Sequence, residues 1–214
     1  MRGAEVTRRL VGGGPDSLSG RRRLRRWALL RRSFPALEEM SVLDLGGTAA
    51  SWRTAELRPR RLVLLNLDQP GDVEGAESLV GDACDPPAAL RRQHFDLVFS
   101  NSVIEHVGGH AKRQAFAAAA RSLGDRLWIQ TPYRYFPVEP HFVAPGLQFL
   151  PLAARAHVVA AWPLVGLARS VPEALAHVQS IELLSRTEMS AYFPDCRLVA
   201  ERFAGLTKSL TAVR

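Results

Sequence analysis

Short apolar runs bounded by turn residues recur along the chain, and they predict buried strands of a parallel sheet. These runs lie at residues 41–45, 61–67, 76–81, 95–101 and 126–130. Between the last two runs, residues 111–123 are rich in alanine and end at Gly124, which predicts a helix. Apolar strands that alternate with helical segments in this way indicate an α/β fold with a mostly parallel sheet.

The pattern changes after Pro132. Prolines recur among apolar and aromatic residues through residues 133–180, which predicts an inserted and partly helical lid. Ser185 and Glu188 then have the spacing of a capping box, so they predict a helix over residues 185–193. Two closing strands are predicted at about 196–203 and 209–213. A terminal pair of this kind adds an antiparallel strand to a parallel sheet.

The positive charge of the chain is concentrated at its beginning. The 214 residues carry a net charge of +7, and residues 1–33 contain ten arginines against two acidic residues. Residues 1–33 therefore contribute +8 and residues 34–214 contribute −1. We interpret residues 1–33 as an arginine-rich arm with a helix over about 21–32, and residues 34–214 as one domain with the lid inside it.

Composition excludes a disordered tail protein, a collagen and a small disulfide scaffold. With 47% hydrophobic and 23% charged residues, the chain has the balance of a folded globular domain. No apolar run reaches the roughly 18 residues of a membrane-spanning helix, and the start shows no secretory pattern. Cys84 and Cys196 lie far apart without a CxxC or Cys/His cluster, so no metal site is expected. These features favour a cytoplasmic protein.

Polar residues follow the apolar runs where a ligand of an α/β sheet would bind. The first run contains Asp44 and leads into Gly46 and Gly47, and a glycine turn there lets a ligand approach the backbone. The GxGxxG pattern of nicotinamide and flavin binding is absent. Asp68 and Asp82 end the second and third runs, where a carboxylate can bind ribose hydroxyls and an adenine amino group.

These stretches resemble the class I S-adenosylmethionine-dependent methyltransferases, in the small-molecule group (type 11) with an EH signature after strand four. The resemblance rests on VLDLGG, LLNLD, GDACD and FDLVFSNSVIEHV, in that family's order, and covers about residues 40–214. It implies a Rossmann-like seven-stranded sheet in the order 3-2-1-4-5-7-6, with one antiparallel strand and helices on both faces. It also implies S-adenosyl-L-methionine as the cofactor.

The resemblance implies roles for individual residues as well. The cofactor-binding positions would be Asp44, Gly46, Gly47, Thr48, Asp68, Asp82, Ala83, Ser100 and Asn101. Asn66 lies close enough to the strand end to compete with Asp68 for the ribose. The last two glycines of the family's loop are replaced here by Thr48 and Ala50. The N-terminal helix would pack over the cofactor side.

Two histidines are candidates for removing a proton from the acceptor, because a histidine pKa near neutrality suits that task. His106 follows the fourth strand, and His141 follows the fifth with Glu139 beside it, so the candidate catalytic residues are these three. The alternative is that these side chains have structural roles; Glu105, for example, could tie the loop by hydrogen bonds.

We therefore expect methyl transfer to a small organic molecule, which the apolar lid allows to be lipid-like or a natural product. One alternative is an RNA methyltransferase that uses the arginine-rich arm as a phosphate clamp. A second is a partner subunit that binds the cofactor without catalysis. Nucleic acid is not the expected partner, because only Lys112 and Lys208 are lysines and Trp27 is the one aromatic residue among the arginines. Peripheral contact of the arm with an anionic membrane surface and the oligomeric state stay open.

Overall fold

A seven-stranded sheet with helices on both faces is the frame of the molecule. The computed structural model describes residues 18–53, 55, 57–162, 168 and 170–214. The strands are β1 (Ser41–Leu45), β2 (Arg61–Asn66), β3 (Ala76–Val80), β4 (Phe95–Asn101), β5 (Gly124–Pro132), β6 (Val138–Glu139), β7 (Ala144–Pro145), β8 (Arg197–Phe203) and β9 (Leu206–Val213). The helices are α1 (Leu18–Ser33), α2 (Ala49–Arg53), α3 (Ala88–Arg91), α4 (His110–Leu123), α5 (Leu152–Ala161), α6 (Val171–Gln179) and α7 (Arg186–Tyr192).

The main sheet has the order β3-β2-β1-β4-β5-β9-β8, while β6 and β7 form a separate hairpin. Without the two hairpin strands in the count, this order is 3-2-1-4-5-7-6, so the fold expected from the resemblance is confirmed. Strands β1 to β5 pair in parallel. Strand β9 runs antiparallel to both β5 and β8.

Alternation along the central strands divides the core between the two faces of the sheet. In β1, Leu43 and Leu45 join the cluster beneath α4 and α7, whereas Val42 joins the cluster beneath α1 and α2. In β5, Trp128 faces the second cluster. All of these side chains are buried, because a central parallel strand is covered by helices on both faces.

Helix α1 is part of this core. The Trp27 ring stacks on Phe99 of β4 at 5.7 Å and lies 5.0 Å from the Trp52 ring of α2. Leu30 and Phe34 are buried in the same cluster. Helix α1 therefore packs on this face of the sheet.

The polypeptide between β5 and α7 forms a small layer of its own. It contains the β6–β7 hairpin, a 3₁₀ turn (Leu147–Phe149), α5 and α6. Phe142 and Leu147 pack there with Val159 of α5 and Val178 of α6. Because this cluster is separate from the two clusters of the sheet, we refer to residues 133–180 as the lid segment.

Local signals at the C-terminal end are also confirmed. Ser185 accepts a hydrogen bond from the Glu188 amide, and Glu188 accepts one from the Ser185 amide, as a capping box requires. The turn at Ala204 and Gly205 joins β8 to β9, and β9 begins three residues earlier than the pattern predicts. No helix in the described ranges combines the length and apolar character needed to cross a membrane.

Candidate functional site

The glycine loop after β1 lies at the carboxyl end of the parallel strands. Gly46 has φ +80°, a left-handed conformation that favours glycine, and its amide donates to the Leu65 carbonyl at 2.7 Å. Asn66 at the end of β2 donates from Nδ2 to the Gly46 and Gly47 carbonyls at 3.2 and 3.0 Å. A Cβ on Gly47 would lie 2.4 Å from Oδ2 of Asp44, so the loop packs directly on that carboxyl group.

A first cavity of about 50 Å³ opens beside this loop. Its lining includes Arg26, Trp27, Asp44, Gly46, Gly47 and Asn101. Four of these residues were expected from the sequence, namely Asp44, the two glycines and Asn101. The other two come from α1, so the N-terminal helix covers the end of the sheet where the candidate cofactor residues converge.

Asp44 lies at the bottom of this cavity. Its side chain is only 2% exposed and accepts a hydrogen bond from Trp52 Nε1 at 2.7 Å. Burial raises the pKa of Asp44 to about 7, although the Trp52 hydrogen bond acts in the opposite direction. A cationic ligand group beside this carboxyl would favour its ionised form.

Arg26 is a cavity residue that the sequence interpretation missed. One guanidinium nitrogen donates to Oδ1 of Asn101 at 2.8 Å, and Nε lies 3.6 Å from the Glu201 carboxylate. In the sequence, Arg26 is one of ten arginines in residues 1–33, and nothing distinguishes it from its neighbours. The partial amphipathic pattern around Trp27 was the one available signal, because it shows which face of the helix is buried.

Gly46 also lines a second cavity, of about 270 Å³. Its lining includes Asn66, Leu67, Asp82, Ala83, Val103 and His106. Asp82 accepts the Cys84 amide at 2.8 Å and binds Lys112 at 3.0 Å. Partial burial raises the pKa of Asp82, but these two donors outweigh that effect and hold the pKa below its ordinary value.

Three of the residues expected to bind the cofactor lie elsewhere. Asp68 is exposed, two residues beyond β2, and is not among the residues that line either cavity. Ser100 is buried and donates to the Leu45 carbonyl at 2.7 Å, so it joins β4 to β1. Thr48 is half-buried and lies 3.1 Å from the Ser51 hydroxyl, which helps to shape the loop.

The candidate catalytic residues come together beside the second cavity, which His106 lines. The His106 and His141 rings lie 4.9 Å apart and nearly perpendicular. His141 Nδ1 is 2.7 Å from the Glu139 carboxylate, and His106 Nδ1 is 3.2 Å from the Ser180 carbonyl. Desolvation and the neighbouring His141 lower the pKa of His106. Burial also opposes the charged form of His141, but the Glu139 carboxylate outweighs it and raises that pKa.

Glu105 lies against this pair and is fully buried. The Thr131 hydroxyl donates a hydrogen bond to Oε2 of Glu105 at 2.9 Å. Through this oxygen, Glu105 ties the loop after β4 to β5, as the structural alternative expected. The other oxygen, Oε1, has no hydrogen-bond partner within the described part of the chain. Burial raises the pKa of Glu105 to about 7.

Comparison with known sequences supports the assignment of this region. Residues 43–126 match the family described as "Methyltransferase domain". The matched segment runs from β1 into β5 and therefore contains the glycine loop, Asp82 and His106. No curated protein matches the chain.

The fold of this chain is similar to that of solved methyltransferase structures. Magnesium protoporphyrin IX methyltransferase from Synechocystis PCC 6803, with bound S-adenosylhomocysteine, has a TM-score of 0.54 at 12% identity, over 100% of this chain and 86% of that one. The 1,6-didemethyltoxoflavin-N1-methyltransferase of Burkholderia thailandensis has a TM-score of 0.54 at 13% identity, over 89% of this chain and 76% of that one. At such identities the likeness shows the fold alone.

Proposed function

We propose that this S-adenosylmethionine-dependent methyltransferase acts on a small, largely apolar organic acceptor whose nucleophilic atom binds at His106 and His141. The observation that carries the proposal is a pair of cavities that share Gly46 in their lining, the second of which is also lined by His106. The two similar structures are named for methyl transfer to magnesium protoporphyrin IX and to 1,6-didemethyltoxoflavin, which supports a small-molecule acceptor.

In this proposal the two cavities divide the cofactor between them. The first would hold the methionine end, with its amino group at Asp44 and its carboxylate at Arg26. The second would hold the nucleoside, with the adenine at Asp82 and Ala83 and the ribose at Asn66 or at Asp68 after a movement of its exposed turn. Ser100 and Thr48 would act on the cofactor through the backbone that they position.

When bound, S-adenosylmethionine supplies an electrophilic methyl group and leaves as S-adenosylhomocysteine. The protein must therefore align the acceptor and, for a hydroxyl or amine, take up its proton. Glu139 fixes the ring of His141 through Nδ1, which leaves Nε2 for contact with the acceptor. His106 is oriented in the same way by the Ser180 carbonyl.

The surface of the lid segment supports an apolar acceptor. Tyr135 and Phe149 stack at 6.2 Å and are both more than half exposed. Leu150 and Leu152 follow Phe149 closely in the chain, and 39% and 38% of their areas are exposed. Apolar side chains that cluster on a surface instead of in a core mark a place where another apolar group binds.

Methyl transfer itself tests the acceptor class. Purified protein is incubated with S-adenosylmethionine labelled in its methyl group and with either an organic-solvent extract of cells or total RNA. We expect label in low-molecular-mass products that partition into organic solvent, and label in RNA would contradict the proposal. His141→Ala should lower the rate by roughly 10²- to 10⁴-fold, while His157→Ala, an exposed histidine of α5, should not.

Replacing Arg26 tests the proposed binding of the cofactor carboxylate. Arg26→Gln should weaken S-adenosylhomocysteine binding by about tenfold or more, because a hydrogen bond to a charged group contributes about 1.5–3 kcal/mol. Arg25→Gln is the matched control, since Arg25 is exposed on the same helix. Calorimetric titration measures both variants, and equal affinities would contradict the role of Arg26.

The raised pKa of Asp44 predicts a pH dependence of binding. With a pKa of about 7, most of this carboxyl is protonated at lower pH, and a cationic amino group must displace that proton. Affinity for S-adenosylhomocysteine should therefore rise by up to about tenfold per pH unit from about pH 5.5 towards 7 and then level off. Calorimetry should detect proton release in the acid range.

Asp44→Asn separates this effect from that of other groups whose pKa lies in the same range, such as Glu105. The variant should bind more weakly near pH 8, and its affinity should lose most of the dependence on pH. A wild-type profile that the variant reproduces would show that another group is responsible.

A further inference from the structure

Three potential metal ligands from two separate parts of the chain converge where the acceptor is proposed to bind. We call this region, around Glu105, His106 and His141, the acceptor edge. Glu105 and His106 follow β4, and His141 lies in the loop between β6 and β7. One ligand atom from each residue lies within 4.8 Å of the other two. Ligand bonds to a divalent ion are about 2.0–2.2 Å long, so a small approach of the side chains would complete a common site.

The carboxylate of Glu105 provides an independent indication that a cation binds here. Its side chain is fully buried, and Oε1 has no hydrogen-bond partner within the described part of the chain. A buried carboxylate oxygen that no protein donor reaches is costly, because burial penalises its charge. A cation between Glu105 and the two histidines would satisfy this oxygen.

Both histidines are oriented as metal-binding histidines usually are. Nδ1 of His141 faces the Glu139 carboxylate, and Nδ1 of His106 faces the Ser180 carbonyl. In metal sites a carboxylate or a backbone carbonyl commonly holds one ring nitrogen, so that the other nitrogen binds the ion. Oε2 of Glu139 in turn accepts a hydrogen bond from the Phe142 amide at 2.8 Å, which holds the carboxylate in place beside His141.

We propose that Glu105, His106 and His141 bind a divalent transition-metal ion at the acceptor edge, with Glu139 and the Ser180 carbonyl orienting the two imidazoles. Two imidazoles and one carboxylate suit zinc, iron(II), cobalt(II) or manganese(II), and three protein ligands leave coordination positions open. The sequence predicts no metal site, because its two cysteines form no cluster and His106 and His141 lie far apart along the chain.

This inference rests on the proposed function and gives the acceptor edge a specific chemistry. An acceptor oxygen in an open coordination position would be oriented by the ion and would lose its proton more readily. The imidazoles would then hold the ion, and the proton of the acceptor would pass to solvent, which reaches the site at the exposed His106. The preferred substrates would be hydroxyl compounds, above all phenols or neighbouring diols that can chelate.

Cobalt(II) is the probe for this site because its visible absorption reports its ligands. The full chain is stripped with a chelator, dialysed and titrated with CoCl₂, and then with ZnCl₂ as a competitor. We expect one equivalent of cobalt(II) per chain, with visible bands that zinc abolishes. Wild-type binding weaker than millimolar would overturn the proposal.

Variants identify the ligands. His141→Ala and Glu105→Gln should each weaken cobalt(II) binding at least tenfold and change the spectrum, whereas His157→Ala should match wild type. Circular dichroism confirms folding; should Glu105→Gln unfold, His106→Ala takes its place. Cobalt(II) binding that none of these substitutions weakens would place the ion elsewhere and contradict the site.

A separate titration with S-adenosylhomocysteine distinguishes this inference from the proposed function. His141→Ala should retain that binding, because His141 does not line the proposed cofactor cavities. Loss of cobalt(II) alone in this variant supports the metal site. A wild-type protein that binds cobalt(II) but no S-adenosylhomocysteine would contradict the proposed function and leave the metal assignment intact.

Discussion

Gly47→Ala should weaken S-adenosylhomocysteine binding by about 10- to 100-fold. The added Cβ would lie 2.4 Å from the Asp44 carboxyl group, which is buried and hydrogen-bonded to Trp52. Either the loop or the carboxyl must move, and overpacking of this kind typically costs about 1–3 kcal/mol. Calorimetric titration of the purified variant measures the loss of affinity.

Gly109→Ala is the control for this substitution. Gly109 has an ordinary φ of −50°, and a Cβ there would meet nothing within 4 Å. The affinity of the Gly109→Ala variant for S-adenosylhomocysteine should equal that of the wild-type protein. If Gly47→Ala also bound like wild type, the contact between the glycine loop and Asp44 would not shape the cofactor site.

Trp27→Ala should lower the free energy of unfolding by about 3–5 kcal/mol. It should also weaken S-adenosylhomocysteine binding, because Trp27 lines the first cavity. Trp27 is 8% exposed and contacts both Phe99 and Trp52. The surrounding rings cannot fill the space that its loss leaves, so the lost contacts are not replaced. Urea unfolding measures the stability, and S-adenosylhomocysteine titration measures the effect on the cavity.

Leu24→Ala provides the comparison on the same helix, because Leu24 is 44% exposed. Its free energy of unfolding should change by less than about 1 kcal/mol. Equal effects of the two substitutions would mean that α1 does not pack on the sheet as the structure shows. The same outcome would remove α1 from the proposed cofactor site.

Much of the fold could be predicted from local patterns. The runs around Val42 and Leu64 are apolar on both faces, as strands covered on both sides must be, and the Ser185–Glu188 spacing determines one helix start. The order of the strands came from the resemblance, since a parallel sheet is assembled from pieces that are distant in sequence. Periodicity alone cannot order them.

The candidate site was predictable only in part. Asp44 and Gly47 belong to a short continuous motif, so their proximity follows from the sequence. The position of Arg26 depends on how α1 docks through Trp27, and this is a tertiary contact that no local pattern encodes. The convergence of Glu105 with His141 depends in the same way on the path of the lid segment.

The relation of Asp68 to Asn66 illustrates the same limit. Both residues lie at the end of the second strand, and sequence spacing left both as ribose ligands. In the structure, Asn66 is the last residue of β2 and bonds the glycine loop, while Asp68 lies in an exposed turn. Sequence spacing cannot show where the strand ends and the chain bends away, so it cannot distinguish a side chain at the strand end from one two residues beyond it.

The central claim is that the two cavities at the carboxyl ends of the parallel strands hold S-adenosylmethionine. Calorimetric titration of the wild-type protein with S-adenosylhomocysteine, NAD and ATP in parallel tests it most directly. The account predicts one molecule of S-adenosylhomocysteine bound per chain with micromolar affinity, and no comparable binding of NAD or ATP. A folded protein that binds none of the three, or that binds NAD or ATP more tightly, would contradict it.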